Sequence, residues 1–432
     1  MAKKEKKPEI RFKGFSDEWE QREFDDIIHN LTGGASIKPE DYQEKGIRTV
    51  PKGAVNSEGV ADLKGSKYVT AEFFERNISS KVETGNLVTS LRDLVPAAPN
   101  MGRIVRIVGK QEIFLMPQGV YKIEVYAKIN KDFVIAYSNS DKYRSIISQE
   151  KNGSTQVHIR NGEFLKIKIS IPLYQEQLRI GSFIANLDNL IILHQRKLDK
   201  LINIKKSMLE KMFPKSGAVV PEIRFKGFSE DWEQREYSET FTKIPNNTLS
   251  RAELNYDSGL AKNVHYGDVL IKFGELLNVT KDRIPYITDD AVVNKIRSSK
   301  LQSGDVIIAD AAEDETVGKC IELVNIGEET VMSGLHTIPS RPTLSFASGY
   351  LGYFMNSSAY HNQLLRLMQG TKVSSISKAA LQDTFILYPN DKVEQYKISE
   401  FFQQLNNLIT LHQRKLEKLK NIKKSCLDKM FV

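Results

Sequence analysis

The chain has 432 residues, 40% hydrophobic and 27% charged, with 62 Lys and Arg against 54 Asp and Glu for a net charge of +8. That is the composition of an ordinary soluble protein of about three domains; the basic excess permits a polyanion partner, and two cysteines in apolar patterns, Cys320 and Cys426, exclude a disulfide scaffold. No run reaches the roughly 18 apolar residues of a membrane span, and the basic start MAKKEKKPEIRFK has no apolar stretch behind it to make a signal peptide, so the expectation is a cytoplasmic protein.

The first element is a short motif, PEIRFKGFSDEWEQRE at 8–23, which returns at 221–236 with only an Asp/Glu pair swapped. Gly14 and Gly227 interrupt it, Ser16 and Ser229 stand where a helix would be capped, and Trp19 and Trp232 give a structural turn its anchor. A first globular region follows at 24–172, net +4, with alternating runs at 86–90, 103–108, 119–125 and 165–171 that predict strands. Next comes a helix from about residue 180 to 213, then the linker 214–220, the second motif, and a second globular region at 237–389. This region is net −3, with predicted strands at 268–272, 305–309, 319–324 and 384–387. The two regions align without gaps at an offset of 217: Asn139-Ser140 on Asn356-Ser357, Tyr143 on Tyr360, Gly153 on Gly370, Ile159 on Ile376 and Pro172 on Pro389. They are diverged copies of one domain.

The segments at 190–213, LIILHQRKLDKLINIKKSMLEKMF, and 408–431, LITLHQRKLEKLKNIKKSCLDKMF, match at 19 of 24 positions. Residues of one stripe recur at spacings of three and four, Leu187, Ile191, His194, Leu198, Leu201, Ile204 and Met208 in the first copy and Leu405, Ile409, His412, Leu416, Leu419, Ile422, Cys426 and Met430 in the second. A stripe that long on a charged rod needs a partner, and its second copy is the nearest one available. The expected architecture is α/β (α+β): two globular domains separated by a pair of long antiparallel helices forming a coiled coil, an internal pseudo-two-fold repeat, with the C-terminus returning to the first motif. The segments are 1–172, 173–213, 214–236, 237–389 and 390–432. His194 and His412 are read as a polar pair that fixes register, since two histidines fall short of the ligands zinc requires. No Walker A, GxGxxG, HExxH, GxSxG or CxxC motif is present; neither a catalytic residue nor a metal site is assigned.

Two variable domains alternating with near-identical segments that end in KLxKLxNIKKSxLxKMF, each helix opened by a Glu-Gln pair (Glu176-Gln177, Glu394-Gln395), closely resemble the specificity subunit of type I restriction-modification enzymes. One position departs from the family's Leu-Asp-Asn-Leu pattern: Asn406 stands where the first copy has Asp188. The resemblance implies two target recognition domains that read the two halves of a bipartite, asymmetric double-stranded DNA target. It also implies two methyltransferase subunits bringing S-adenosylmethionine and two restriction subunits bringing ATP- and Mg-dependent translocation and cleavage, with no cofactor held by this chain.

Candidate DNA contacts are the polar residues of the closing segments, Ser154, Thr155, Gln156, His158 and Arg160 in the first domain and Thr371, Lys372, Ser374 and Ser375 in the second. Arg92, Arg103 and Arg106, on or beside the loop at 90–102, and Lys319, after the acidic loop at 309–318, complete the set. A solvated strand turn explains the closing segments equally well. Two rival readings stay open on the residues alone: a coiled-coil scaffold joining two protein-binding domains, and an enzyme with an unrecognised site.

Overall fold

Each short motif ends in a strand that closes a globular domain onto the start of a long helix. The computed structural model describes residues 7–296, 299–368 and 374–432, which divide into two units. The first unit comprises residues up to Arg196 together with His412–Val432, and the second comprises Lys197–Leu411. The division falls inside the helices, so that each unit takes the globular domain of one repeat and the helix end of the other.

In the first unit, Glu20–Glu23 pairs antiparallel with Lys168–Ile171. A four-stranded antiparallel sheet runs in the order Ile28–Gly33, Val120–Val125, Leu87–Ser90, Ile104–Arg106, beside a second sheet of Tyr68–Val69, Ile47–Thr49, Ile113–Leu115 and Lys81–Glu83. In the second unit, Glu233–Glu236 pairs with Phe385–Tyr388 in the same way. Its main sheet runs Phe241–Lys243, Thr337–Pro342, Val306–Ala309, Cys320–Val324, and then adds Leu276–Asn278 at the edge. The shared strand order shows the two regions to be copies of one fold. Tyr143 and Tyr360, matched by sequence, are both fully buried.

Four sequence expectations need correction. Residues 268–272 are not a strand but lie in and just beyond a helix, Tyr266–Ile271, capped by His265 accepting from the Gly267 amide at 3.1 Å. A short apolar run such as Val-Leu-Ile fits either period, and the cap decides. Ser16 and Ser229 cap no helix: extended strands follow them, and Trp19 and Trp232 are buried anchors. Residues 165–167 leave the predicted strand, because Asn161–Leu165 is a short helix. The long helices run Tyr174–Lys211 and Lys392–Lys429, so the first starts a turn and a half earlier than its apolar stripe indicates.

Those starts are fixed by the repeated Glu-Gln pairs. Arg11 of the first motif makes a bidentate pair with buried Glu176 at 2.7 and 2.8 Å, and Arg224 repeats it on Glu394 at the same distances. The next residue, Gln177, accepts from the Asn130 amide and donates to the Pro172 carbonyl, as Gln395 does with Ala347 and Pro389. In each unit, therefore, motif, domain and helix are locked at one point. Gly181 lets the helix approach closely here, since a Cβ would lie 2.5 Å from Asn130 Oδ1 and 2.6 Å from the Phe133 amide.

The two cores are closed by the ends of the repeated helices. Phe431 packs on Trp19, Phe133 and Tyr137 in the first unit, and Phe213 packs on Trp232, Tyr350, Phe354 and Phe402 in the second. Burying an aromatic ring of this kind contributes about 1.5–3 kcal/mol. Lys429 accepts the Ile10 amide on its carbonyl at 3.0 Å, which brings the chain's end back to the first motif. Within the first unit the helix segments run antiparallel, since Asp188 pairs with Lys423 at 2.5 Å while His194 meets His412. No helix among the described residues is long and apolar enough to cross a membrane.

Candidate nucleic-acid interface

In the first unit the chain leaves the strand Leu87–Ser90 and turns into Arg92–Asp93, which pairs antiparallel with Val157–His158; Arg92 stands opposite His158. The second unit repeats this with Ala311–Ala312 against Ser374–Ser375, Ala311 standing opposite Ser375. The two candidate segments of each domain, distant in sequence, thus form one small ribbon. Gly153 makes the turn in the first ribbon: its φ is +103°, and a Cβ there would meet the Gln156 carbonyl at 2.3 Å.

Beside the first ribbon lies a cleft of about 590 Å³. Its floor is apolar, Val55, Val120 and Val157, and its rim is mixed, with Lys52, Arg92, Asp93, Asn100, Gln118, Gln156 and His158 beside exposed Leu94. Among the described residues the side chains of Arg92, Gln156 and His158 make no hydrogen bond or ion pair. Ser154 and Thr155 are exposed on the turn, and exposed Arg160 precedes the short helix, its amide donating to Glu163 at 3.0 Å.

Lys52 and Arg160 are likewise presented outward, whereas four other cations of this region are engaged within the protein. Arg103 donates to the Pro99 carbonyl at 2.7 Å and to Asn139 Oδ1; burial, with Arg144 nearby, pushes it down to about 10. Arg106 pairs with Asp132 at 2.8 Å. Arg144 donates to the Met101 and Ala98 carbonyls, and Lys151 to that of Pro96. Asp93 receives the Val95 and Asn100 amides at 3.4 and 3.3 Å. Arg103 and Arg106 are therefore braces of the loop and its strand rather than groups presented to a ligand. Arg144 and Lys151 were not legible as braces, because their partners are carbonyls supplied by tertiary structure. Nothing in the sequence marks Lys52 or Gln118 as neighbours of this cleft.

The second ribbon carries a different chemistry. Its loop presents exposed Glu313, Asp314 and Glu315, with Asp314 accepting from the Thr316 amide and His361 bonded to the Glu315 carbonyl. Asp310 lies 3.2 Å from His336, and burial raises its pKa despite that neighbour. Lys319 points inward, donating to the Leu270 and Phe273 carbonyls at 2.9 and 2.8 Å; burial lowers its pKa. It ties down a helix end. Ser374 is half-buried and Ser375 exposed, while Thr371 and Lys372 lie outside the described residues.

Along the helices, Leu187, Leu198, Leu201, Leu405, His412, Leu416 and Met430 are buried, and Ile191, His194, Met208, Ile409 and Leu419 are half-buried. His194 and His412 face each other Nδ1 to Nδ1 at 2.8 Å, a hydrogen bond in which one ring donates. No group of three or more His, Cys, Asp or Glu able to hold a metal occurs among the described residues.

The type I restriction modification DNA specificity domain matches this chain twice, over residues 16–203 and 229–421. The chain belongs to that family. The type I restriction enzyme MjaVIII specificity subunit of Methanocaldococcus jannaschii is 24% identical over 377 residues, 84% of each chain. The crystal structure of the type I restriction-modification S subunit from M. genitalium matches with a TM-score of 0.56 at 12% identity, covering 99% of both chains, and so shares the fold. The two matched regions span the two repeats, so each unit of this specificity-family chain is built on one DNA specificity domain.

Proposed function

We propose that the chain is the DNA-reading subunit of a type I restriction-modification complex, each unit reading one half of a bipartite, asymmetric double-stranded target. One contrast carries the reading. The same ribbon recurs on the same fold, but with Arg92 opposite His158 in one unit and Ala311 opposite Ser375 in the other. Identical readers would select a palindrome; these select two different half-sites. The chain itself is non-catalytic. Two methyltransferase subunits bring S-adenosylmethionine, two restriction subunits bring ATP- and Mg-dependent translocation and cleavage, and the complex works in the cytoplasm.

The helices serve as spacer and dock. A 38-residue helix is about 57 Å long, and on this reading its length is the ruler for the gap between the half-sites. Leu190 and Leu193 in the first unit and Leu408 and Leu411 in the second remain exposed at equivalent positions of the repeat, which suits docking of a methyltransferase on each. The test is sequencing of modified bases in a host that expresses the chain with its methyltransferase. The expected result is a bipartite methyladenine motif, of which one half changes when residues 24–172 are replaced by those of another family member. No motif from an intact complex would favour the coiled-coil scaffold instead.

A further inference from the structure

We infer that Arg92 is the specificity-determining residue of the first unit, that it reads a guanine, and that Leu94 beside it supplies the apolar contact to the neighbouring base. The inference rests on the DNA-reading function proposed above and deepens it.

Three observations carry it. Arg92 is exposed at the edge of the 590 Å³ cleft and makes no side-chain bond among the described residues, whereas Arg103, Arg106, Arg144 and Lys151 all have partners within the protein. A guanidinium without internal partners gives up no protein contact on binding. Its planar fork matches the O6 and N7 acceptors that only guanine presents together in the major groove.

The loop that follows Arg92 is held rigid by carbonyl bonds from those neighbouring cations, and by Asp93 accepting two loop amides. A preorganised loop loses little conformational freedom when it meets a ligand. On it Leu94 is 77% exposed and borders the same cleft. So exposed a leucine on so well-braced a loop gains nothing from the fold, and an apolar side chain next to a guanine fork suits a thymine methyl or the face of an adjoining base step. The third observation is the second unit. Ala311 takes the register position of Arg92 there, and the loop beyond it is acidic, so this donor fork belongs to one half-site only.

The experiment uses the whole chain co-expressed with its methyltransferase subunit, and compares methylated motifs for the parent chain, Arg92→Ala, Arg92→Gln and Leu94→Ala. The parent chain tests the DNA-reading function; the variants test the inference. Arg92→Ala is expected to relax one guanine of the first half-site, with discrimination falling roughly ten- to a hundredfold there and the second half-site unchanged. Arg92→Gln is expected to shift that position towards adenine, whose N6 and N7 suit an amide, and it keeps the test informative if the alanine variant accumulates poorly. Leu94→Ala is expected to relax the adjacent position. A uniform loss at all positions of the first half-site would make Arg92 a phosphate contact and overturn the inference. An unchanged motif, or a first half-site without guanine, would overturn it too while leaving the DNA-reading function intact. If the parent complex writes no motif, both fall.

Discussion

Asn406 donates its amide to the Glu275 carboxylate at 3.1 Å, and the same carboxylate holds the Lys205 ammonium at 2.5 Å. In the first unit the equivalent ammonium, Lys423, is held at 2.5 Å by Asp188, the helix position that Asn406 occupies in the second copy. The negative charge has moved from helix to globular domain, and the Asp-to-Asn departure is its complement. Burial acts to raise Glu275, but Lys205 and Asn406 outweigh it and hold the carboxyl below its ordinary range; at Asp188 burial outweighs Lys423 and raises it.

Asn406→Asp should therefore set two half-buried carboxylates against one ammonium and cost about 1–3 kcal/mol. Adding Glu275→Gln should recover most of the loss, because it recreates the arrangement of the first unit. Urea melts of the two single variants and the double variant at pH 7 measure the coupling. If Asn406→Asp alone is neutral, the two sites are not complementary.

A second carboxylate gives a pH dependence of known sign. Glu322, buried in the main sheet of the second unit, accepts the Gly349 amide at 2.6 Å and the Gly352 amide at 2.9 Å at the start of the helix Tyr350–Met355. Burial pushes it up to about 7, against those amides. With the folded-state pKa above the unfolded one, the folded state holds the proton more tightly. Its stabilising contribution is therefore complete below pH 4.5 and is lost as pH rises towards 7, with a slope on the order of 1.4 kcal/mol per pH unit. Glu322→Gln should flatten this slope in melts between pH 4.5 and 7; an unchanged slope would place its origin elsewhere.

Much of this molecule was legible because its largest signals are periodic or duplicated. The stripe from Leu187 to Met208 announces a helix that needs a partner, and the identity of the two copies names that partner. Strands such as Val120–Val125 alternate cleanly enough to be placed. The candidate site was legible only as segments. That Arg92 is presented while Arg103 and Lys319 are engaged depends on carbonyls of Pro99, Leu270 and Phe273, backbone groups with no residue-type signature. The Glu-Gln pairs were visible as a repeated mark, but the arginines that hold their glutamates, Arg11 and Arg224, lie about 165–170 residues away.

Those pairs give a third expectation. Glu176 and Glu394 have side chains 0% and 1% exposed, and each arginine is about 14% exposed. Removing one arginine leaves a buried carboxylate without its counter-charge, which costs about 3–5 kcal/mol. Arg11→Ala and Arg224→Ala should each lower the midpoint of thermal unfolding by several degrees. Hydrogen exchange should locate the loosening at residues 174–180 in the first variant and 392–398 in the second. Loss confined to neither helix start would mean that the pairs do not anchor the domains.

The last expectation concerns the spacer. A heptad preserves the phase of the apolar stripe, so seven residues inserted into both long helices should leave the packed face intact. At 1.5 Å per residue the insertion adds about 10 Å, which corresponds to about three base pairs at 3.4 Å of rise. A heptad in one helix only would move His194 away from His412, which now share a hydrogen bond, and should destabilise the pair. The paired insertion should thus give a folded protein whose methylated motif keeps both half-sites and lengthens the gap between them. The single insertion should give a less stable protein. Sequencing of modified bases reads the gap directly, and a paired variant that folds, methylates and retains the original gap would show that the spacing is set by something other than helix length.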